Sequence, residues 1–167
     1  MYQINDVIVY ENGGVCKITD IGVPDFVTTD ERYYTLQPIC DNGGTIYVKI
    51  NNDKVFMRSV ITKEEAESYL SEVPKMEELY STNDKLRDKE FREAIKSCEF
   101  KKCLQVIKGI TMERNRRNKT GKRLNMSDDK NLQKAGKLVS AECSVIFDIT
   151  MEEAKSKIKE AMGINEE

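Results

Sequence analysis

The sequence predicts an α+β fold: a small five-stranded β-barrel over residues 1–61, followed by a bundle of about five α-helices over residues 62–167. Three observations predict it. Two Asn-Gly-Gly turns interrupt short apolar runs near the N-terminus. Two Thr-x-x-Glu signatures stand where helices should begin, and apolar residues recur with helical spacing after Ile61.

The first strand is read at Ile4–Tyr10, stopped by Glu11-Asn12-Gly13-Gly14 and resumed at Val15–Ile18. Asn and Gly tolerate positive φ, so this is strand, tight turn, strand. The unit repeats at Tyr33–Ile39, Asp41-Asn42-Gly43-Gly44 and Thr45–Ile50, and a last strand is expected at Lys54–Ile61. Five short strands at this spacing suit a closed or nearly closed barrel. Thr62-Lys63-Glu64-Glu65 is a capping box, with Ala66, Tyr69, Leu70 and Val73 on one face and Pro74 as the stop. A helix from about Asn83 to Ser97 has Leu86, Phe91, Ala94, Ile95 and Cys98 on its apolar side and Lys85, Arg87, Lys89 and Arg92 on its polar side. Phe100, Cys103, Leu104, Ile107 and Thr111 mark the clearest helix, expected to fray near Asn118–Gly121. Ser127-Asp128-Asp129 resembles an N-cap, ahead of Leu132, Ala135, Leu138, Val139, Cys143 and Ile146. Thr150-Met151-Glu152-Glu153 repeats the capping box before Ala154, Ile158, Ala161 and Met162, and Gly163 suits the end of that helix.

Composition narrows the chemistry. Charged residues are 34% of the 167 and the formal net charge is -2, a balance that names no partner. No run approaches the roughly 20 apolar residues of a membrane span, and the first residues lack the regions of a signal peptide. Cys16, Cys40, Cys98, Cys103 and Cys143 are scattered without a CxxC pair, so a reducing cytoplasm is expected, with neither zinc nor a disulfide framework. The chain has no histidine, which excludes Ser-His and Cys-His catalysis and imidazole metal sites. No carboxylate set has metal-binding spacing. A non-enzyme without cofactor or metal is expected.

Lys101 to Arg123 is a basic run: Lys101, Lys102, Lys108, Arg114, Arg116, Arg117, Lys119, Lys122 and Arg123 against Glu113. It reads either as a phosphate-binding surface or as a solvated helix face neutralised by acidic residues from elsewhere. Phe26 and Val27 lie in a long Asp- and Thr-rich loop. They either pack back on the barrel or mark an edge where a partner adds a strand. Tyr80, in the polar break between Glu77 and Asp84, either caps the bundle or is a surface wedge.

The ordered set of features resembles the CarD-like (CarD/CdnL) family of bacterial transcription regulators. The stretches that carry the resemblance are Asn5–Tyr10, Gly14, Ile18–Ile21, Tyr33–Leu36, Ile46–Val48 and Met57–Ile61 in the barrel. In the helices they are Phe91–Ser97, Arg114–Leu124, and Asp129 with Leu132, Ala135, Leu138 and Glu142. The resemblance implies a Tudor-like (SH3-like) barrel that binds the β subunit of RNA polymerase. It also implies a helical domain that contacts promoter DNA at the upstream edge of the transcription bubble, largely without base specificity, and alters open-complex lifetime. On that basis Phe26, Val27 and Tyr47 are expected to dock on polymerase. Tyr80, Lys85, Arg87, Lys89, Arg114, Arg116 and Arg117 are expected to face DNA. The family places a tryptophan wedge near Ser81; this chain has no tryptophan, and Tyr80 is the candidate substitute. A cytoplasmic monomer is expected. The alternative is a protein-only adaptor that binds polymerase or another partner and leaves DNA alone.

Overall fold

The computed structural model describes residues 1–40 and 43–163. The chain forms two compact units, Met1–Val60 and Ile61–Glu167.

The first unit is an antiparallel sheet: β1 (Val7–Tyr10), β2 (Gly14–Gly22), β3 (Tyr33–Pro38), β4 (Ile46–Lys49) and β5 (Met57–Ser59). The strand order is β4-β3-β2-β1-β5. Among the described residues β4 and β5 do not pair, so the barrel expected from the sequence is an open ladder with these two strands at its ends. Gly14, at φ 69°, closes the first turn in the left-handed region that the sequence asked of a glycine. Part of the second turn, Asp41 and Asn42, lies outside the described residues. An irregularity between Ile18 and Asp20 shifts the β2–β3 register, which bends the sheet over its core. That core is Ile8, Tyr10, Cys16, Ile18, Tyr34, Leu36 and Val48. Each fully buried aliphatic side chain contributes about 1.5–3 kcal/mol.

The second unit contains α1 (Lys63–Glu72), a short 3₁₀ turn (Val73–Lys75), α2 (Asp84–Lys96), α3 (Phe100–Lys119), α4 (Met126–Ile146) and α5 (Met151–Ala161). Both capping boxes form, at Thr62 with Glu65 and at Thr150 with Glu153. The N-cap of α4 is Asn125, whose side chain accepts from the Ser127 N–H; the helix therefore starts ahead of the expected Ser127 cap. Gly163 sits past α5 at φ 75°, in the left-handed conformation that ends a helix. The core gathers around α3, where Phe100, Cys103, Leu104, Val106, Ile107 and Ile110 are buried. Among the described residues no helix is long and apolar enough to cross a membrane.

One attachment shapes this unit. The Lys108 ammonium, buried on α3, donates to the carbonyls of Val73 (2.6 Å), Pro74 (3.3 Å) and Met76 (2.5 Å). These carbonyls lie where α1 and its 3₁₀ extension end, and that of Val73 also accepts from the Met76 N–H. One residue on, Gly109 lets the backbone of Leu79 approach: a Cβ there would lie 2.6 Å from the Leu79 carbonyl oxygen. The segment after the 3₁₀ turn is thus fixed along α3 by an amine and by the lack of a side chain.

Candidate functional sites

In the sheet unit the structure brings two of the expected docking residues together. Tyr47 lies on β4, opposite Thr35 of β3, and Thr35 lies opposite Asp20 of β2. Its neighbours Ile46 and Val48 turn toward the core, so strand alternation sends Tyr47 outward. Phe26 reaches it from the β2–β3 loop: the ring centroids are 4.7 Å apart at 75°, an edge-to-face contact. Both rings stay in solvent, with Phe26 64% and Tyr47 43% exposed. Val27 is half-buried beside them and its N–H donates to the Pro24 carbonyl, closing the tip of the loop. On the same edge strand Lys49 pairs with Glu31 at 2.8 Å, both in solvent. The arrangement is an exposed aromatic pair, one ring on a strand that has a ladder partner on one side only among the described residues and the other on the neighbouring loop. Such an edge can accept a further strand through main-chain bonds while the aromatic rings fill a partner's pockets.

In the helical unit the expected DNA residues divide. Arg87 is corrected: it is 2% exposed and faces inward. Its Nε and Nη2 donate to the two carboxylate oxygens of Asp128 at 2.9 and 3.0 Å. Its Nη1 donates to the Ser81 carbonyl at 2.9 Å and pairs with Asp84. Asp128 itself is 1% exposed. With four of its five N–H donors taken and the side chain buried, this guanidinium does not offer a phosphate-binding edge.

Tyr80 is corrected as well. Its hydroxyl donates to Asp128 at 2.5 Å, and the Arg87 guanidinium lies 4.3 Å from its ring centroid. Phe91 packs beside it at 6.1 Å. Burial, and then the Asp128 carboxylate, push the Tyr80 hydroxyl up to about 12. The ring caps the bundle instead of projecting as a wedge. The triad Tyr80, Arg87 and Asp128 joins the start of α2 to the start of α4, and its sequence separations of 48 and 41 residues hid it from pattern reading.

Arg116 and Arg117 are exposed in part but committed. Arg116 pairs with Glu78 at 2.8 Å and with Glu113 at 3.2 Å. Arg117 pairs with the other oxygen of Glu113 at 3.0 Å and donates to the Arg123 carbonyl. These groups line a cleft of about 430 Å³ in which Glu78, Asp84 and Glu113 face Arg87, Arg116 and Arg117. Three carboxylates thus answer three guanidiniums, two of the carboxylates arriving from outside the basic run. Lys108 also leaves that run, being buried against carbonyls. Lys85 and Lys89 are exposed on α2, with Lys89 at 4.0 Å from Glu93. Arg114 is partly exposed, and Lys119, Lys122 and Arg123 are exposed where α3 ends. Cations there are also favoured by the helix macrodipole.

The Glu113 pairs carry a pH consequence. Hydrogen bonds from Arg117 and then Arg116 hold its carboxyl below the usual range. A depressed folded-state pKa gives stability that is present above the unfolded value, near 4.3, and is lost as pH falls through the folded one. The melting temperatures of the parent and Glu113→Gln are therefore expected to differ at neutral pH and to converge as pH falls from about 5 toward 2. A difference that stays constant through that range in thermal melts would remove Glu113 from the stability of this corner.

Comparison with known proteins bears on the first of these sites. Residues 2–61 match the family model of the CarD-like/TRCF RID domain. No curated protein matches the chain. The match spans all five strands and the exposed Phe26–Tyr47 pair. The N-terminal unit is therefore a CarD-like/TRCF RID domain, the RNA polymerase-interacting, Tudor-like domain of CarD-like proteins, and the chain is a transcription-related protein.

Proposed function

We propose that this chain is a non-enzymatic regulator. In this reading it docks on the β subunit of RNA polymerase through Phe26, Val27 and Tyr47 and brings its helical unit to promoter DNA at the upstream edge of the bubble, where it modulates open-complex stability. The observation that carries the docking half is the solvent-exposed aromatic pair at the edge strand of a RID domain, Tyr47 on the strand and Phe26 on the β2–β3 loop. The DNA half rests on the exposed cations Lys85, Lys89, Lys119, Lys122 and Arg123 and on the partly exposed Arg114. Lysine and arginine contacts to phosphate position a protein without reading sequence. Bare affinity would be weak, with Kd on the order of 10⁻⁴–10⁻⁶ M. Docking raises the local DNA concentration to roughly millimolar, so weak contacts suffice.

A second reading, a protein-only adaptor, is favoured by one observation: Arg87, Arg116 and Arg117 are all matched to carboxylates of the same unit. One experiment separates the two. Phe26→Ala with Tyr47→Ala is expected to weaken binding to core polymerase at least about tenfold, since buried aromatic anchors carry about 2 kcal/mol or more. Unchanged binding would reject this docking face. With the parent chain docked, open-complex lifetime is then followed at two salt concentrations. A salt-sensitive change in lifetime supports DNA contact, and an unchanged lifetime leaves the adaptor.

A further inference from the structure

Arg116 and Arg117 are the two arginines of the basic run whose guanidiniums reach solvent yet carry carboxylate partners. The partners are arranged economically. Glu113 gives one oxygen to each arginine, and Glu78 adds a second contact to Arg116 from a segment 38 residues away in sequence. Glu78 is not on a drifting loop. Two residues before it the Met76 carbonyl accepts from Lys108, and one residue after it the Leu79 carbonyl lies against Gly109. On α3, Gly109, Glu113, Arg116 and Arg117 fall at i, i+4, i+7 and i+8, so the face that fixes the segment is the face that carries the arginines.

We propose that Glu78 and Glu113 form an electrostatic mask: they occupy the Arg116 and Arg117 guanidiniums and so set how strongly the helical unit grips DNA. This rests on the DNA half of the proposed function and adds its regulation. A guanidinium offers its bidentate edge to carboxylate and to phosphate alike, so the two anions compete for it. Arg116 and Glu78 are both about half in solvent, and an exposed pair of this kind is weak enough to exchange without unfolding. Dilute duplex does not displace the carboxylates. Phosphates held beside the arginines by docking on polymerase do, because the exchange is then intramolecular. The mask makes the full grip conditional on docking, while the exposed Lys119, Lys122 and Arg123 supply a weak unconditional one.

The test uses the full chain, a fluorescein-labelled duplex of arbitrary sequence and fluorescence anisotropy between about 50 and 200 mM salt. Glu78→Gln with Glu113→Gln is expected to bind about tenfold more tightly than the parent at the lower salt. Its plot of log K against log salt should be steeper by about 1–2, the mark of one or two added phosphate contacts. Glu78→Gln alone, on an exposed segment and outside the helices, should give about a threefold gain if Arg116 is unmasked. A companion variant, Lys122→Glu with Arg123→Glu, reads the underlying DNA contact. If that variant loses binding while the Gln variants match the parent in affinity and slope, the DNA reading stands and the mask is overturned. If no variant nor the parent binds duplex at the lower salt, both fall together.

Discussion

Asp128→Ala is expected to destabilise the helical unit by about 3–5 kcal/mol, the cost of leaving a buried arginine without its counter-charge. Arg87 is buried, and Asp128 meets two of its nitrogens while also accepting from the Tyr80 hydroxyl. The change thus strips the acceptor from three donors at once, two of them on the buried Arg87. Asp84 still touches Arg87, but from solvent, where its charge is screened. In a thermal melt of the full chain the transition of this unit should fall by more than about 10 °C. The triple variant Tyr80→Phe, Arg87→Met, Asp128→Leu should recover most of that loss, because a packed apolar trio avoids desolvating charge altogether. A melt of Asp128→Ala within about 3 °C of the parent would show that this ion pair does not hold α2 to α4.

Gly109→Ala is expected to cost about 1–3 kcal/mol, although glycine to alanine within a helix ordinarily gains about 1 kcal/mol. The reason for the reversed sign is local. The new methyl would meet a backbone carbonyl at 2.6 Å, and that carbonyl belongs to a segment already anchored by Lys108. Gly136, within α4, is the control: a Cβ there meets nothing within 4 Å, so Gly136→Ala should stabilise by about 0.5–1 kcal/mol. Urea denaturation of both variants measures the contrast. Equal shifts of the same sign would mean that the Leu79 segment simply moves aside.

Local physics explains which parts of the fold were legible. The capping boxes at Thr62 and Thr150 need residues only three apart, and both formed as read. Phe100, Cys103, Leu104, Ile107 and Thr111 all proved buried, because α3 is central and its periodicity is undisturbed. On α2 the reading slipped. Leu86 was placed on the apolar side, yet it is 48% exposed and Arg87 points inward. The inward set Arg87, Phe91 and Ala94 has good helical spacing, but a charged residue enters it only because Asp128 waits on another helix. Ser127 with its acidic followers Asp128 and Asp129 reads as the α4 cap, but Asn125 caps the helix. One of them, Asp128, serves the buried pair instead. The same blindness to distant partners made the basic run look uncompensated, since Glu78 and Asp84 lie outside it. Lys108 left one unused clue: it sits between Ile107 and Gly109 in a continuous apolar stretch, an odd place for a solvent-seeking amine. The Phe26–Tyr47 contact is the converse case, where family resemblance named both residues and geometry then joined them.

The backbone anchoring of the segment after α1 does not depend on the side chains of Glu77 and Leu79, while Met76 adds its burial in the core and Glu78 its solvent-exposed pair with Arg116. Lys108 grips carbonyls, and Gly109 makes room for a peptide unit, groups that every residue type possesses. Substitutions at Glu77, Glu78 or Leu79 therefore change what this strip displays to the outside while its course stays put. Evolution can rewrite the strip's surface chemistry, from acidic to neutral to basic, by neutral drift and without compensating changes in the interior.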